Sequence, residues 1–240
     1  LTPVWPGDTL RSQSEVIGLK QNSNGKTGVV YVRTTGLNQH DETVLEYVRW
    51  VMVRKRDLDA PAPETVVPDL PKALSADQLV IPRGLDFTNY DFTLAGEPHR
   101  WGDYEIGEQI DHVDGVTIEE AEHMMATRLW QNTAKVHFDT SARPDGSRLI
   151  YGGHVISMAR ALSFNGLANA QMIAGLNGGA HANPCLAGDT IRAWSEVLDK
   201  AETDAPGVGA IRMRLVATKG GKPFDLRGDD GKYLPDVLLD

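Results

Sequence analysis

Apolar and polar positions alternate with a period of two in two stretches of the chain that resemble each other. In the first, Leu10, Ser12, Ser14 and Val16 alternate with Arg11, Gln13, Glu15 and Ile17, the signature of a strand. The turn Asn22–Gly25 leads to a Val-, Tyr- and Thr-rich strand, Gly28–Thr35, and the turn around Asn38–Asp41 leads to a third, Val44–Val53. In the second stretch Thr190–Leu198 and Ala210–Thr218 take the first two parts. A longer Gly-containing turn, Lys219 to Lys232, precedes Val237–Leu239, which begins the third.

The two stretches match in register. Gly7, Asp8, Thr9, Arg11, Ser14, Glu15 and Val16 recur as Gly188, Asp189, Thr190, Arg192, Ser195, Glu196 and Val197, a constant offset of 181 positions. One strand later Gly28 and Arg33 fall on Gly209 and Arg214 at the same offset. Two copies of one fold unit are the simplest source of such a match.

Between the copies, residues 58–100 carry six prolines (Pro61, Pro63, Pro68, Pro71, Pro82 and Pro98) and no sustained period, so they read as a linker. One short helix is expected in it, at Ser75–Val80. Thr117-Ile118-Glu119-Glu120 has the spacing of a capping box, followed by Ile118, Ala121, Met125 and Leu129 at helical intervals, with Met124 and Met125 assigned to the core. A second, more apolar helix is expected from Gly153 through Val155, Met158, Ala159 and Leu162 to a stop at Gly166, and a further strand at Gln171–Leu176.

A sheet with one apolar face must cover something, and the apolar helix is the obvious partner. The expected class is therefore α+β, a hot-dog arrangement in which an antiparallel sheet wraps round a central helix. With two copies it becomes a double hot-dog. Residues 1–57 would be the closing strands of a truncated first repeat, residues 58–100 the linker, and residues 101–240 the second repeat with its last strand cut short. The alternative is a single sheet spanning both strand sets.

The charge narrows the partners. With 24 Lys and Arg against 33 Asp and Glu the net charge is −9, which disfavours nucleic acid and anionic membrane surfaces. The chain has no apolar run of membrane-spanning length, and Leu1–Pro6 resembles neither a signal nor a transit peptide. Cys185 is the one cysteine, and Cys and His have no metal-ligand spacing, so a cytoplasmic protein without a structural metal is expected. Gly175, Gly178 and Gly179 do not form a dinucleotide fingerprint.

Between the two helices lies Trp130-Gln131-Asn132-Thr133-Ala134-Lys135-Val136-His137-Phe138-Asp139, and Tyr151-Gly152-Gly153-His154 opens the central helix. These stretches resemble the MaoC-like, or (R)-specific, enoyl-CoA hydratase family, whose motif is Asp-x-Asn-Pro-x-His-x-Asp followed by a His-Gly pair. His137 matches the catalytic His, Asp139 the acidic residue two further on, and Gly153 the glycine of the pair. The chain departs from the motif at three places: Asn132 stands for the catalytic Asp, Ala134 for Pro, and Gly152 for the His of the pair. Together with the strand Pro6–Ser12, the pattern is similar to the mesaconyl-C1-CoA hydratase (β-methylmalyl-CoA dehydratase) branch of that family.

The resemblance implies reversible addition of water to a branched dicarboxylic enoyl-CoA, with coenzyme A as part of the substrate and no separate cofactor. The catalytic set would be His137, Asn132 and Gly153. His137 would move the proton, Asn132 would hold water or the substrate's carboxyl group, and the helix tip at Gly153 would stabilise the thioester oxygen. Asp139, Gly152, His154 and Lys135 would bind substrate. Lys135, Arg143 and Arg148 could equally form a solvated face. His40, His99, His112, His123 and His181 are read as structural. Self-association into a homo-oligomer is expected, because edge strands and apolar sheet faces need cover. Two other readings stay open: a hot-dog thioesterase, and a non-catalytic acyl-CoA-binding domain.

Overall fold

The structure, a computed structural model, describes residues 1–82, 84–220 and 223–240. The Lys219–Lys232 turn therefore lies partly outside the described residues. The chain divides into two compact units, Leu1–Leu85 and Asp86–Asp240.

The first unit is an antiparallel sheet of three strands in sequence order, β1 (Arg11–Gln21), β2 (Thr27–Leu37) and β3 (Thr43–Arg54). The linker that follows is tied to β1 at one place, where Leu19 and Val66 exchange backbone bonds of 2.9 and 2.8 Å. The short helix expected at Ser75–Val80 is one 3-10 turn, Ala76–Gln78.

The second unit begins with a single helical turn, α1 (Phe92–Ala95). The strand β4 (Gln109–Thr117) follows, then α2 (Glu120–Leu129), α3 (Gly152–Leu162) and a further short turn, α4 (Phe164–Leu167). The chain closes with β5 (Thr190–Glu202), β6 (Gly209–Thr218) and β7 (Val237–Leu239). The sheet order is β4-β5-β6-β7, antiparallel throughout, and α3 packs on all four strands. Its Val155 and Ala159 meet Ile191 and Ala193 of β5, Ala217 of β6, and Leu238 and Leu239 of β7 in one buried cluster. This is the expected helix wrapped by a sheet. Each fully buried aliphatic side chain in it contributes on the order of 1.5–3 kcal/mol.

The internal repeat is reproduced down to its irregularities. β1 shifts register between Val16 and Gly18, and β5 shifts between Val197 and Asp199, so both strands bulge at the same place in the repeat. Glu15 lies opposite Arg33, and Glu196 opposite Arg214. At the strand-entry turns Asp8 accepts from the Trp5 N–H at 2.8 Å and Asp189 from the Leu186 N–H at 2.9 Å.

Several expectations fail. Thr117 does not cap α2; it ends β4, where its hydroxyl meets that of Thr190 across the strands at 2.8 Å, and Glu119 takes the cap position without a side-chain bond. The face of α2 that packs inward is polar, His123 and Thr127, while Met125 (67% exposed) and Leu129 (68%) face outward, so Met125 is not core. No strand forms at 171–176, which is irregular and exposed. β4 is an addition. Its alternation is broken at Val113, whose φ of 62° sits where three residues of β4 oppose one of β5. The stop at Gly166 holds in substance: α3 ends at Leu162, and the backbone turns left-handed at Gly166. His112 is structural as expected, buried between the Asn165 carbonyl and the Ser195 hydroxyl.

Ala159 is fully buried where α3 crosses the sheet. Ala159→Leu should therefore cost roughly 1–3 kcal/mol by overpacking, read as a lower urea midpoint at unchanged slope.

Candidate active site at the tip of the central helix

Three consecutive residues before α3 reach three different parts of the second unit. Leu149 donates its N–H to the Val136 carbonyl at 2.9 Å, and its own carbonyl accepts from His137 Nδ1 at 2.7 Å. Ile150 donates to the Cys185 carbonyl at 3.0 Å. Tyr151 donates its N–H to His123 Nε2 at 3.1 Å. The 3-10 turn Lys135–His137 is thereby fastened to the approach to α3, and α2 is fastened to the same approach one residue pair later.

These bonds fix two tautomers. His137 carries its proton on Nδ1, facing a carbonyl, so its Nε2 presents a lone pair. His123 accepts at Nε2 and must be neutral. Its ring is 1% exposed, and burial, reinforced by His154 and His137 nearby, pushes its pKa down to about 4. The His123 ring lies 6.4 Å from that of His137, 5.8 Å from that of His154 and 5.7 Å from that of Tyr151. His123, expected to be structural, is buried and holds the Tyr151 N–H, and its ring stands among those of His137, His154 and Tyr151. Its spacing from Thr127, an i, i+4 polar pair on one face of α2, marks that buried face in the sequence.

At the helix tip both glycines are required by close approach. A Cβ on Gly152 would lie 2.0 Å from His181 Cε1, and one on Gly153 would lie 2.4 Å from Tyr151 Cε2. His181 thus also borders the site. Tyr151 supplies no side-chain cap, and among the described residues the Gly152 and Gly153 N–H groups meet no acceptor. Such orphan donors, aligned with the helix dipole, suit a developing negative charge. His154, on the first turn of α3, is buried; its Nε2 has no hydrogen-bond partner, and the nearest carboxylate, Glu122, is 3.9 Å away.

Beyond the end of α2 the chain turns sharply at Gln131, whose φ is 53°. Around this turn Thr127, Arg128, Gln131, Asn132, Thr133 and Phe138 line an open, mainly apolar depression of about 300 Å³. Asn132 Oδ1 accepts from the Ala134 N–H at 3.0 Å, which fixes the orientation of its side-chain amide. Asp139 is turned to its own loop, accepting from the Ser141 N–H at 2.9 Å and hydroxyl at 2.6 Å, which lowers its pKa. Lys135 is exposed at the start of the His137 turn. Arg143 pairs with Asp145 and Arg148 with Glu120, each at 2.7 Å. The structure thus gathers His137, His154, Gly152 and Gly153 around Tyr151, and sets Asn132 on the separate depression beyond α2.

His123 predicts a pH dependence of stability. A folded pKa near 4 against 6.5 unfolded means that the unfolded chain binds the proton first as pH falls. The stabilisation present at neutral pH should be lost between pH 6.5 and about 4. His123→Gln should remove about 1 kcal/mol of the wild-type decline between pH 7 and roughly 5.5, read by urea unfolding at both pH values.

The family model described as mesaconyl-CoA hydratase matches residues 1–223. A mesaconyl-CoA hydratase of Cereibacter sphaeroides is 75% identical over 241 residues, covering 100% of this chain and 70% of that protein. A beta-methylmalyl-CoA dehydratase of Chloroflexus aurantiacus is 59% identical over 246 residues, covering 99% and 69%. The crystal structure of a MaoC domain protein dehydratase from Chloroflexus aurantiacus superposes with a TM-score of 0.93 at 59% identity, over 99% of this chain and 69% of that one. A Mycobacterium tuberculosis protein described as having a double hot-dog fold superposes at 0.66 with 24% identity, over 98% and 70%, a likeness of fold. The fold is the double hot-dog of MaoC-like dehydratases, and the chain belongs to the mesaconyl-CoA hydratase family.

Proposed function

We infer that the protein hydrates mesaconyl-C1-CoA to β-methylmalyl-CoA and catalyses the reverse dehydration. Its identity to relatives named for the two directions supports the reaction, and the fixed tautomer of His137 beside the helix tip supports the site. In the hydration direction His137 Nε2 takes a proton from water as the water oxygen bonds to the β-carbon. The electron pair of the double bond moves toward the thioester oxygen, where the Gly152 and Gly153 N–H groups receive the charge. The imidazolium then returns a proton to the α-carbon, which leaves the base neutral and the product complete. No redox step occurs, so the reading needs no cofactor beyond the substrate's own coenzyme A.

The same reading places the protein in the cytoplasm, in keeping with a single buried Cys185. Among the described residues no helix is long and apolar enough to cross a membrane. It also makes the protein a homo-oligomer, supported by apolar side chains left exposed on β3, among them Trp50 (54%) and Met52 (71%).

In the full-length enzyme His137→Ala should lower kcat by about 100- to 10,000-fold with the fold intact by circular dichroism. The readout is loss of the enoyl-thioester absorbance. Near-normal rates would remove His137 from the mechanism. Release of free thiol would identify a thioesterase, and binding without turnover an acyl-CoA-binding domain.

A further inference from the structure

We propose that Tyr151 is a catalytic residue of this site: its hydroxyl donates a hydrogen bond to the thioester oxygen, beside the Gly152 and Gly153 N–H groups. The inference rests on the hydration reading and adds to it a side-chain donor at the helix tip.

The reaction sets the requirement. As water adds to the β-carbon, the thioester oxygen gains negative charge that it does not carry in the substrate. The acyl chain's own carboxylate, by contrast, is charged before and after. Donors already in place where charge develops stabilise the transition state most, because nothing has to reorganise at that moment. A tyrosine can be such a donor if its phenol stays protonated and is not already bonded elsewhere.

Tyr151 meets these conditions. Its backbone is committed: the N–H goes to His123 Nε2, and the carbonyl accepts from the His154 and Val155 N–H groups at 3.0 and 3.4 Å. Its ring fills the volume that a Gly153 Cβ would take, with Cε2, Cδ2 and Cζ at 2.4, 3.1 and 3.5 Å from that point. Cζ carries the hydroxyl, so the phenol lies against the first turn of α3, next to an orphan N–H group. On its other side the ring centroid is 6.1 Å from that of His137, the base. The other tyrosine hydroxyls of this unit have partners. Tyr90 donates to Asn169 at 3.1 Å, Tyr104 to the Gly166 carbonyl at 2.6 Å and Tyr233 to Asp240 at 3.0 Å. Among the described residues the Tyr151 hydroxyl has none, although three imidazole rings lie 5.7, 6.1 and 6.1 Å from its own. Burial raises its pKa above the ordinary tyrosine value, so it stays a donor through the neutral range.

Two measurements on the full-length protein test this. Tyr151→Phe keeps the ring against Gly153 and removes only the hydroxyl. Its kcat for hydration should fall about 100-fold with KM little changed, the pattern for loss of one oxyanion donor. The second measurement needs no turnover. Methylsuccinyl-CoA, a saturated thioester that cannot be hydrated, is isotope-labelled at its thioester carbonyl, and infrared difference spectroscopy reads the carbonyl stretch of the bound form. In the wild type the stretch should lie below its value in buffer, and in Tyr151→Phe it should move back toward that value. A wild-type stretch equal to that in buffer overturns the proposal. So does a Tyr151→Phe protein that keeps the wild-type stretch or the wild-type kcat. Hydration by the wild type, followed by absorbance, tests the reaction separately: its absence would fail the hydration reading, while the carbonyl stretch would still judge Tyr151.

Discussion

The hydrogen bond that His137 Nδ1 donates to the carbonyl of Leu149 is the contact on which the site depends. It does two jobs with one bond. It chooses the tautomer that leaves the other ring nitrogen its lone pair, and it ties a loop with little regular structure to the approach of the central helix. Ile150 and Tyr151 continue the pattern, so residues 149–151 bind the His137 turn, the segment at Cys185 and helix α2 in succession. The His137 turn is registered to the helix tip by one main-chain bond, from the Leu149 N–H to the Val136 carbonyl, and by one imidazole bond, from His137 Nδ1 to the Leu149 carbonyl.

Burial completes what the bonds begin. His123 can accept from Tyr151 only while neutral, and its removal from water holds it so. The interior under α2 is therefore a group of imidazoles and a phenol ring, not an aliphatic core. This explains why α2 shows its apolar residues to the outside. Its inward face is committed to the site, and the fold's stability rests on the α3 cluster instead.

The strands were legible because two-residue alternation and turn chemistry coincide in them: β7 begins where the pattern placed it, and the 181-residue offset carried even the bulges. β4 was hidden because the insertion at Val113 breaks its alternation and His112 occupies a buried position usually held by an aliphatic. The capping box failed because Thr117 had a better partner in Thr190, a contact 73 residues away that local spacing cannot report. The same holds for the site. The motif located His137 and the glycine tip, but the ring of His123 meets those of His137, His154 and Tyr151 only through packing.

The glycine tip has a consequence for how the sequence can drift. The volume a Cβ would take at position 152 is filled by the ring of His181, and that at position 153 by the ring of Tyr151. Each glycine faces an aromatic partner, so a side chain cannot be added at either glycine while its partner ring stays in place. A lineage that acquires a side chain at 152 must first shrink residue 181, passing through an intermediate with a void against the helix. These four positions should therefore co-vary as two couples, evolving in steps of two.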